Sequence, residues 1–189
     1  MRRNVARKFD EYLAASARTG NRAAFGRLVK HWQPRLIAHA YRLSGEMELA
    51  RDIVQDSWID IYRGLPGLKD VVAFPAWAHR IVTRRTADTI RKITRKRRDG
   101  IAFAAEPEAL DNSQADIEAQ ADRATLNKVM AELSKEQHAA IALHYIEGFS
   151  IAEISIALKV PAGTVKTRLM HARRNLRAAL EGENKNDQT

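Results

Sequence analysis

Apolar residues recur along this chain at three- and four-residue spacings, and Ala, Leu, Arg, Glu and Ile dominate, so the pattern predicts an all-α protein with almost no strand signal. The run from Ala24 to Leu43 lines up Phe25, Leu28, Val29, Trp32, Leu36, Ile37 and Ala40, and it stops at Ser44-Gly45. Glu46 to about Leu65 forms a second amphipathic segment, which Pro66-Gly67 breaks. A short loop leads to Phe74, and Pro75 then falls in the first turn of a long helix running to about Arg98. Three antiparallel helices are therefore expected in a first module, behind an amino-terminal extension.

Residues 99–124 carry Gly100, Pro107 and scattered acids with few large apolar groups, the composition of a flexible acidic linker. The second module opens near Leu126. Ser134-x-x-Gln137 and Ser150-x-x-Glu153 have the spacing of reciprocal helix caps, and Gly148 stops the helix between them. Ser150–Leu158, the turn Lys159-Val160-Pro161, and Ala162 to about Leu180 then read as helix, tight turn, helix. The expected domains are 1–98, the linker 99–124, the second module 125–182 and a polar tail 183–189.

Charge sharpens this division. The 189 residues carry a net +9, but residues 1–98 hold 22 Lys/Arg against 9 Asp/Glu, residues 99–124 hold 1 against 7, and residues 125–189 hold 9 against 7. A basic block, an acidic connector and a near-neutral block point to two functional units, of which at least the first meets a polyanion. The absence of cysteine excludes thiol catalysis, thiolate zinc sites and iron–sulfur ligation, and no metal or other cofactor is expected. No stretch approaches the roughly 20 apolar residues of a membrane span, so no membrane insertion and a cytoplasmic location are expected.

Three faces carry candidate chemistry. On the helix after the turn, Leu169, Ala172 and Leu176 fall within roughly 40° of Val165 at about 100° per residue, and the four form the inner stripe. Thr167, Met170, His171 and Arg174 lie opposite. Lys166 and Arg173 sit on one flank and Arg168 on the other, an arrangement of groove readers between phosphate clamps, with Thr164 at the helix start. Met170 fits either a gap in the core or a base contact. On the helix from Glu46, the residues Glu48, Asp52, Gln55, Asp56 and Ile59 gather opposite Ile53, Val54, Trp58 and Ile61. That acidic face is either a docking surface or a solvated face offsetting nearby Arg. On the long helix, Arg80, Arg84, Arg91, Arg95 and Arg98 form a stripe interrupted by Asp88, suited to tracking a phosphate backbone. Phe74, in the loop before it, is the better candidate for stacking on an unpaired base; Trp77 fits the core or the stripe.

Two blocks resemble the bacterial extracytoplasmic-function (ECF) sigma factors. Asp52-Ile53-Val54-Gln55-Asp56-Ser57-Trp58 and Ala73-Phe74-Pro75-Ala76-Trp77-Ala78-His79-Arg80-Ile81 are similar to the family's second region. Glu147-Gly148-Phe149-Ser150-Ile151-Ala152-Glu153-Ile154 and Val160-Pro161-Ala162-Gly163-Thr164-Val165-Lys166-Thr167-Arg168 are similar to its fourth. The resemblance covers about residues 19–180. It implies a three-helix bundle and a helix-turn-helix domain joined by the tether. Glu48, Asp52, Gln55, Asp56 and Ile59 would dock on core RNA polymerase. The loop from Pro66 to Phe74 would capture a base of the downstream (−10) promoter element, with Phe74, Trp77, Arg80, Arg84, Asp88, Arg91 and Arg95 holding the opening strand. Thr164, Lys166, Thr167, Arg168, Met170, His171, Arg173 and Arg174 would meet the upstream (−35) element. The family is commonly masked by an anti-sigma protein, and the chain is expected to be monomeric outside the polymerase. Departures from the family pattern are Arg84, where Asn is common, Arg85, where a small or hydrophobic residue is common, and His171, where Arg is common.

An enzyme is not expected, since the chain lacks a Gly-rich phosphate loop, a strand-borne nucleophile and a closely spaced metal-binding His pair. A dimeric helix-turn-helix regulator is the rival, and it would require an effector or dimerisation module.

Overall fold

A computed structural model describes residues 2–98 and 133–186, and the chain divides into two compact units. The described residues are helical apart from turns and caps. The first unit holds α1 (Arg2–Arg18), α2 (Arg22–Ser44), α3 (Met47–Gly64) and α4 (Phe74–Arg98). The second holds α5 (Lys135–Tyr145), most of α6 (Ile151–Leu158), and α7 (Ala162–Asn186). The expected tether 99–124 and the opening of the second module lie outside the described residues. So does the end of the expected polar tail, although α7 carries helix to Asn186, past the expected stop near Leu180.

Among the described residues the first unit adds a further α-helix, α1, to the three that were expected. Residues 2–18 form α1, which buries Leu13, Ala14 and Ala17 in the same core as Leu28 and Trp32 of α2. Gly20 adopts a left-handed φ of 94°, and its N–H donates to Ala17 O at 3.0 Å, ending α1. Asn21 then caps α2 by accepting from Ala24 N at 3.0 Å. α2 runs through Pro34 and ends at Gly45, whose φ is 86° and whose N–H donates to Tyr41 O.

Ile53, Val54 and Ile61 of α3 and Phe74, Ala78 and Val82 of α4 complete the core around Trp32, whose ring meets those of Phe74 and His79 edge-on at 6.0 and 5.9 Å. Trp32 Nε1 donates to Asp10 Oδ1 at 3.2 Å, and His31 Nε2 lies 3.1 Å from the same oxygen, so the buried carboxylate ties α1 to α2. Burial nonetheless raises the Asp10 pKa, against the pull of His31. Between α3 and α4 the chain makes two short 3-10 turns, Leu65–Gly67 and Val71–Ala73, the second capped by Asp70 Oδ1 accepting from Val72 N at 2.9 Å.

In the second unit both expected cap pairs form. Ser134 Oγ accepts from Gln137 N at 3.3 Å while Gln137 Oε1 accepts from Ser134 N at 3.1 Å. Ser150 and Glu153 repeat the exchange at 3.2 and 2.7 Å. The turn into α7 puts Lys159 at a φ of 56°, and Ser155 Oγ fastens it by donating to Val160 O at 2.6 Å. Ile141, Leu143, Phe149, Ile154, Val165, Leu169 and Ala172 are buried and Leu176, the fourth residue of the expected stripe, is half-buried, so α7 is anchored by the first three residues of the stripe that its sequence period marks.

Candidate polymerase and nucleic-acid interfaces

α3 separates its two faces cleanly. Ile53, Val54, Trp58 and Ile61 are buried, while Glu48, Asp52, Gln55 and Asp56 are exposed and Ile59 is 48% exposed beside the equally open Tyr62. All five residues expected on this face therefore share it. Glu48 is paired with Arg51 one turn on. Asp56 Oδ2 accepts from Arg85 Nη1 of α4 at 3.1 Å, and Arg85 Nε donates to Asp60 Oδ2 at 2.9 Å, with Arg84 Nη2 3.5 Å from that same oxygen. The Arg85 hydrogen bond holds the Asp60 carboxyl below its ordinary pKa, and in return Arg85 is raised. Asp60 was missed in the sequence; its place one turn beyond Asp56 was the available signal, but its partners lie on another helix.

On α4 the basic stripe is exposed at Arg80, Arg84, Arg91 and Arg95. Asp88 pairs with Arg91 within the helix. The stacking assignment of Phe74 is overturned: Phe74 is 0% exposed, the first residue of α4, with its ring against Trp32. Its apolar ring is worth more in the core than in a wet loop. Trp77 is half-buried, packed on the core and tilted against Phe74 at 6.1 Å. A Cβ on Gly64 would come within 2.9 Å of its ring, so that glycine admits the indole. The exposed side chains of the intervening loop are Pro66, Lys69, Asp70 and Val72, and Arg18 Nη1 of α1 donates to Leu68 O and Lys69 O at 3.0 and 3.2 Å.

On α7, Lys166, Thr167, Met170, Arg173 and Arg174 are exposed, and Thr164, Arg168 and His171 are half-buried. At 57% exposure Met170 is no core residue. Thr167 Oγ1 donates back to Gly163 O at 3.1 Å. Arg173 Nε donates to Tyr145 OH at 2.9 Å, and its guanidinium lies 5.7 Å from the ring centroid, a contact from α5 that steadies the flank of the helix. Tyr145 gave no sign of this in the sequence.

The family description sigma-70 region 2 matches residues 28–97, and sigma-70 region 4 matches residues 123–176. Two helical units bearing those regions in that order define a transcription initiation factor. The ECF RNA polymerase sigma factor SigM of Mycobacterium tuberculosis (strain H37Rv) is 31% identical over 168 residues, covering 88% of this chain and 82% of the relative. The RNA polymerase sigma-H factor of Pseudomonas aeruginosa is 26% identical over 181 residues, covering 91% and 94%. Among solved structures, CnrH in complex with the cytosolic domain of CnrY matches with a TM-score of 0.63 at 25% identity over 92% of this chain and 98% of that one. The sigma factor RpoE in complex with the anti-sigma factor NepR from Bartonella quintana matches at 0.68 and 26% identity over 83% and 96%. This chain belongs to the ECF RNA polymerase sigma factor family, the alternative sigma factors that direct transcription initiation by core RNA polymerase. No helix among the described residues is long and apolar enough to cross a membrane.

Proposed function

We propose that the α3 face of Glu48, Asp52, Gln55, Asp56 and Ile59 docks on core RNA polymerase, that α4 and the loop before it hold the downstream promoter element, and that α7 reads the upstream element as duplex. The observation that carries this reading is that Glu48, Asp52, Gln55, Asp56 and Ile59 of α3, Arg80, Arg84, Arg91 and Arg95 of α4, and Lys166, Thr167, Met170, Arg173 and Arg174 of α7 are exposed on helices whose opposite faces are buried. Lys166, Arg168, Arg173 and Arg174 flank or extend the reading face and clamp phosphates, while Thr167, Met170 and His171 face base edges. Arg80, Arg84, Arg91 and Arg95 track the strand that opens, with Trp77 as a buttress for the loop and Asp88 restraining Arg91. Phe74 acts from the core, by shaping the start of α4. The protein works in the cytoplasm as an initiation factor with no catalysis of its own, and is a monomer outside the polymerase. An anti-sigma protein covers it at rest, a reading supported by the similar structure of the sigma factor RpoE in complex with the anti-sigma factor NepR.

The test is reconstitution. The purified chain plus bacterial core RNA polymerase is expected to start transcription at a selected promoter, and Asp52→Arg to abolish assembly by setting like charge against a basic dock. Normal core affinity in Asp52→Arg and Asp56→Arg would remove the docking assignment. A stable dimer that grips duplex DNA alone and ignores core polymerase would favour the regulator instead.

A further inference from the structure

α1 lies before the residues that match sigma-70 region 2 and bears none of the contact residues assigned above, yet it packs against both 3-10 turns of the loop that leads into α4. Its last residue, Arg18, ends with one guanidinium nitrogen shared between two consecutive carbonyls, those of Leu68 at 3.0 Å and Lys69 at 3.2 Å. These carbonyls belong to the stretch between the two turns. The turns themselves close locally, through Leu68 N to Leu65 O, Ala73 N to Asp70 O and Val72 N to Asp70 Oδ1. Leu68 and Val71 pack on the core, and Arg18 adds the polar tie that fixes the carbonyls in the middle of the loop to another helix.

The anchor is itself well held. Leu13, Ala14 and Ala17 are buried, and Asp10 is bonded to Trp32, so α1 cannot shift along α2 without breaking core contacts. The cation also sits at the carboxyl end of α1, where the helix dipole favours it, and a charge-assisted bond to a carbonyl is stronger than a neutral one. On the far side of the same loop, Lys69, Asp70 and Val72 point outward while Leu65 is buried and Leu68 half-buried. Fixing two successive peptide planes therefore fixes which side chains the loop displays, and a loop ordered before binding loses less entropy when it captures a base.

We propose that Arg18 is a positioning residue, through which α1 presets the loop 65–73 in the conformation that captures an unpaired base of the downstream promoter element. The proposal rests on the reading of that loop given above. Its test uses the full chain in reconstituted holoenzyme, transcribing from a matched promoter and from variants with single-base changes in the downstream element. The readout is the ratio of rates, matched over changed. Arg18→Ala is expected to shrink that ratio by about three- to tenfold, and Arg18→Lys to give an intermediate value, because an ammonium is a point charge without the planar fork. Core association and upstream-duplex binding are expected to stay as in the wild type, as is the thermal midpoint of Arg18→Lys. Should Arg18→Ala fail to fold, the Lys variant decides alone. Wild-type ratios, or an equal loss on every promoter, would overturn the proposal. The double variant Lys69→Ala/Val72→Ala separates the two levels. If it leaves the ratio unchanged, the loop does not read the base and the underlying assignment falls with the proposal. If it collapses the ratio while both Arg18 variants keep it, only the positioning role is lost.

Discussion

α4 and α7 each span 25 residues and each carry a row of cations, but they hold them differently. On α4, Arg84 and Arg85 are drawn to Asp60, Arg85 also reaches Asp56, and Asp88 restrains Arg91. On α7, exposed Lys166 and Arg174 and half-buried Arg168 have no carboxylate in ion-pair range among the described residues, and Arg173 rests on Tyr145. Nearby carboxylates subtract from the attraction for phosphate. On the function proposed above, α7 would meet duplex DNA directly, whereas α4, part of whose charge is engaged by α3, would suit a strand that polymerase brings to it. The α3–α4 bridge also ties the proposed acidic dock to the proposed DNA-contact helix, through the pair of Asp56 with Arg85.

The largest expected difference between the units is in their response to acid. In the first, His39 and His79 are buried with ring centroids 4.9 Å apart; His79 Nδ1 donates to Pro75 O at 2.8 Å and His39 Nε2 meets Thr83 Oγ1 at 2.9 Å. Burial lowers His79 to about 4 and lowers His39 well below its ordinary value. In the unfolded chain both titrate near 6.5 and so bind protons that the folded unit refuses. Stability is therefore full above about 6.5 and falls as pH drops towards 4, by about 3 kcal/mol from His79 alone. Asp10, raised by burial, opposes this, because the folded unit holds its proton more readily than the unfolded chain. Hydrogen exchange at pH 7 and 4.5 should show the first unit losing protection and the second, whose described histidines are half-buried, holding it. Equal losses would break the contrast.

Gly64→Ala comes next. The new methyl must displace the Trp77 ring, and chemical denaturation is expected to report a loss of about 1–3 kcal/mol confined to the first unit. A smaller effect separates the cation rows. Arg168→Ala should lower the salt slope of upstream-duplex binding by about 1, and Arg84→Ala should change the salt slope of downstream-strand binding by less, because Asp60 already engages that arginine. Equal slope changes would erase the distinction between α4 and α7. Smallest is Ser134→Ala, which removes the acceptor for Gln137 N and is expected to cost about 1 kcal/mol in the second unit alone.

Helix periodicity made much of this legible. Val165, Leu169 and Ala172 anchor α7 as their spacing requires, Ser134 and Ser150 cap as their partners three residues on require, and Glu48 through Ile59 share the face their angles assign. Phe74 shows where that logic stops: an aromatic at a loop–helix junction has no periodic neighbours to say which way it turns, and Trp32 decides the matter. α1, expected only as an amino-terminal extension, has its place decided by Leu13 and Ala17 packing into the core.

What the sequence determined alone was local: the helices from Ala24 onward, their capped starts, and which face of each is apolar, because hydrogen bonds and caps within a helix span three or four residues. What the tertiary structure decided was every pairing across distance. Arg18 meets carbonyls 50 and 51 residues away, Arg85 meets carboxylates 25 and 29 residues away, and Arg173 meets a tyrosine 28 residues away. No residue pattern encodes such a meeting by itself; packing of the apolar faces brings those polar groups together, and the contacts follow.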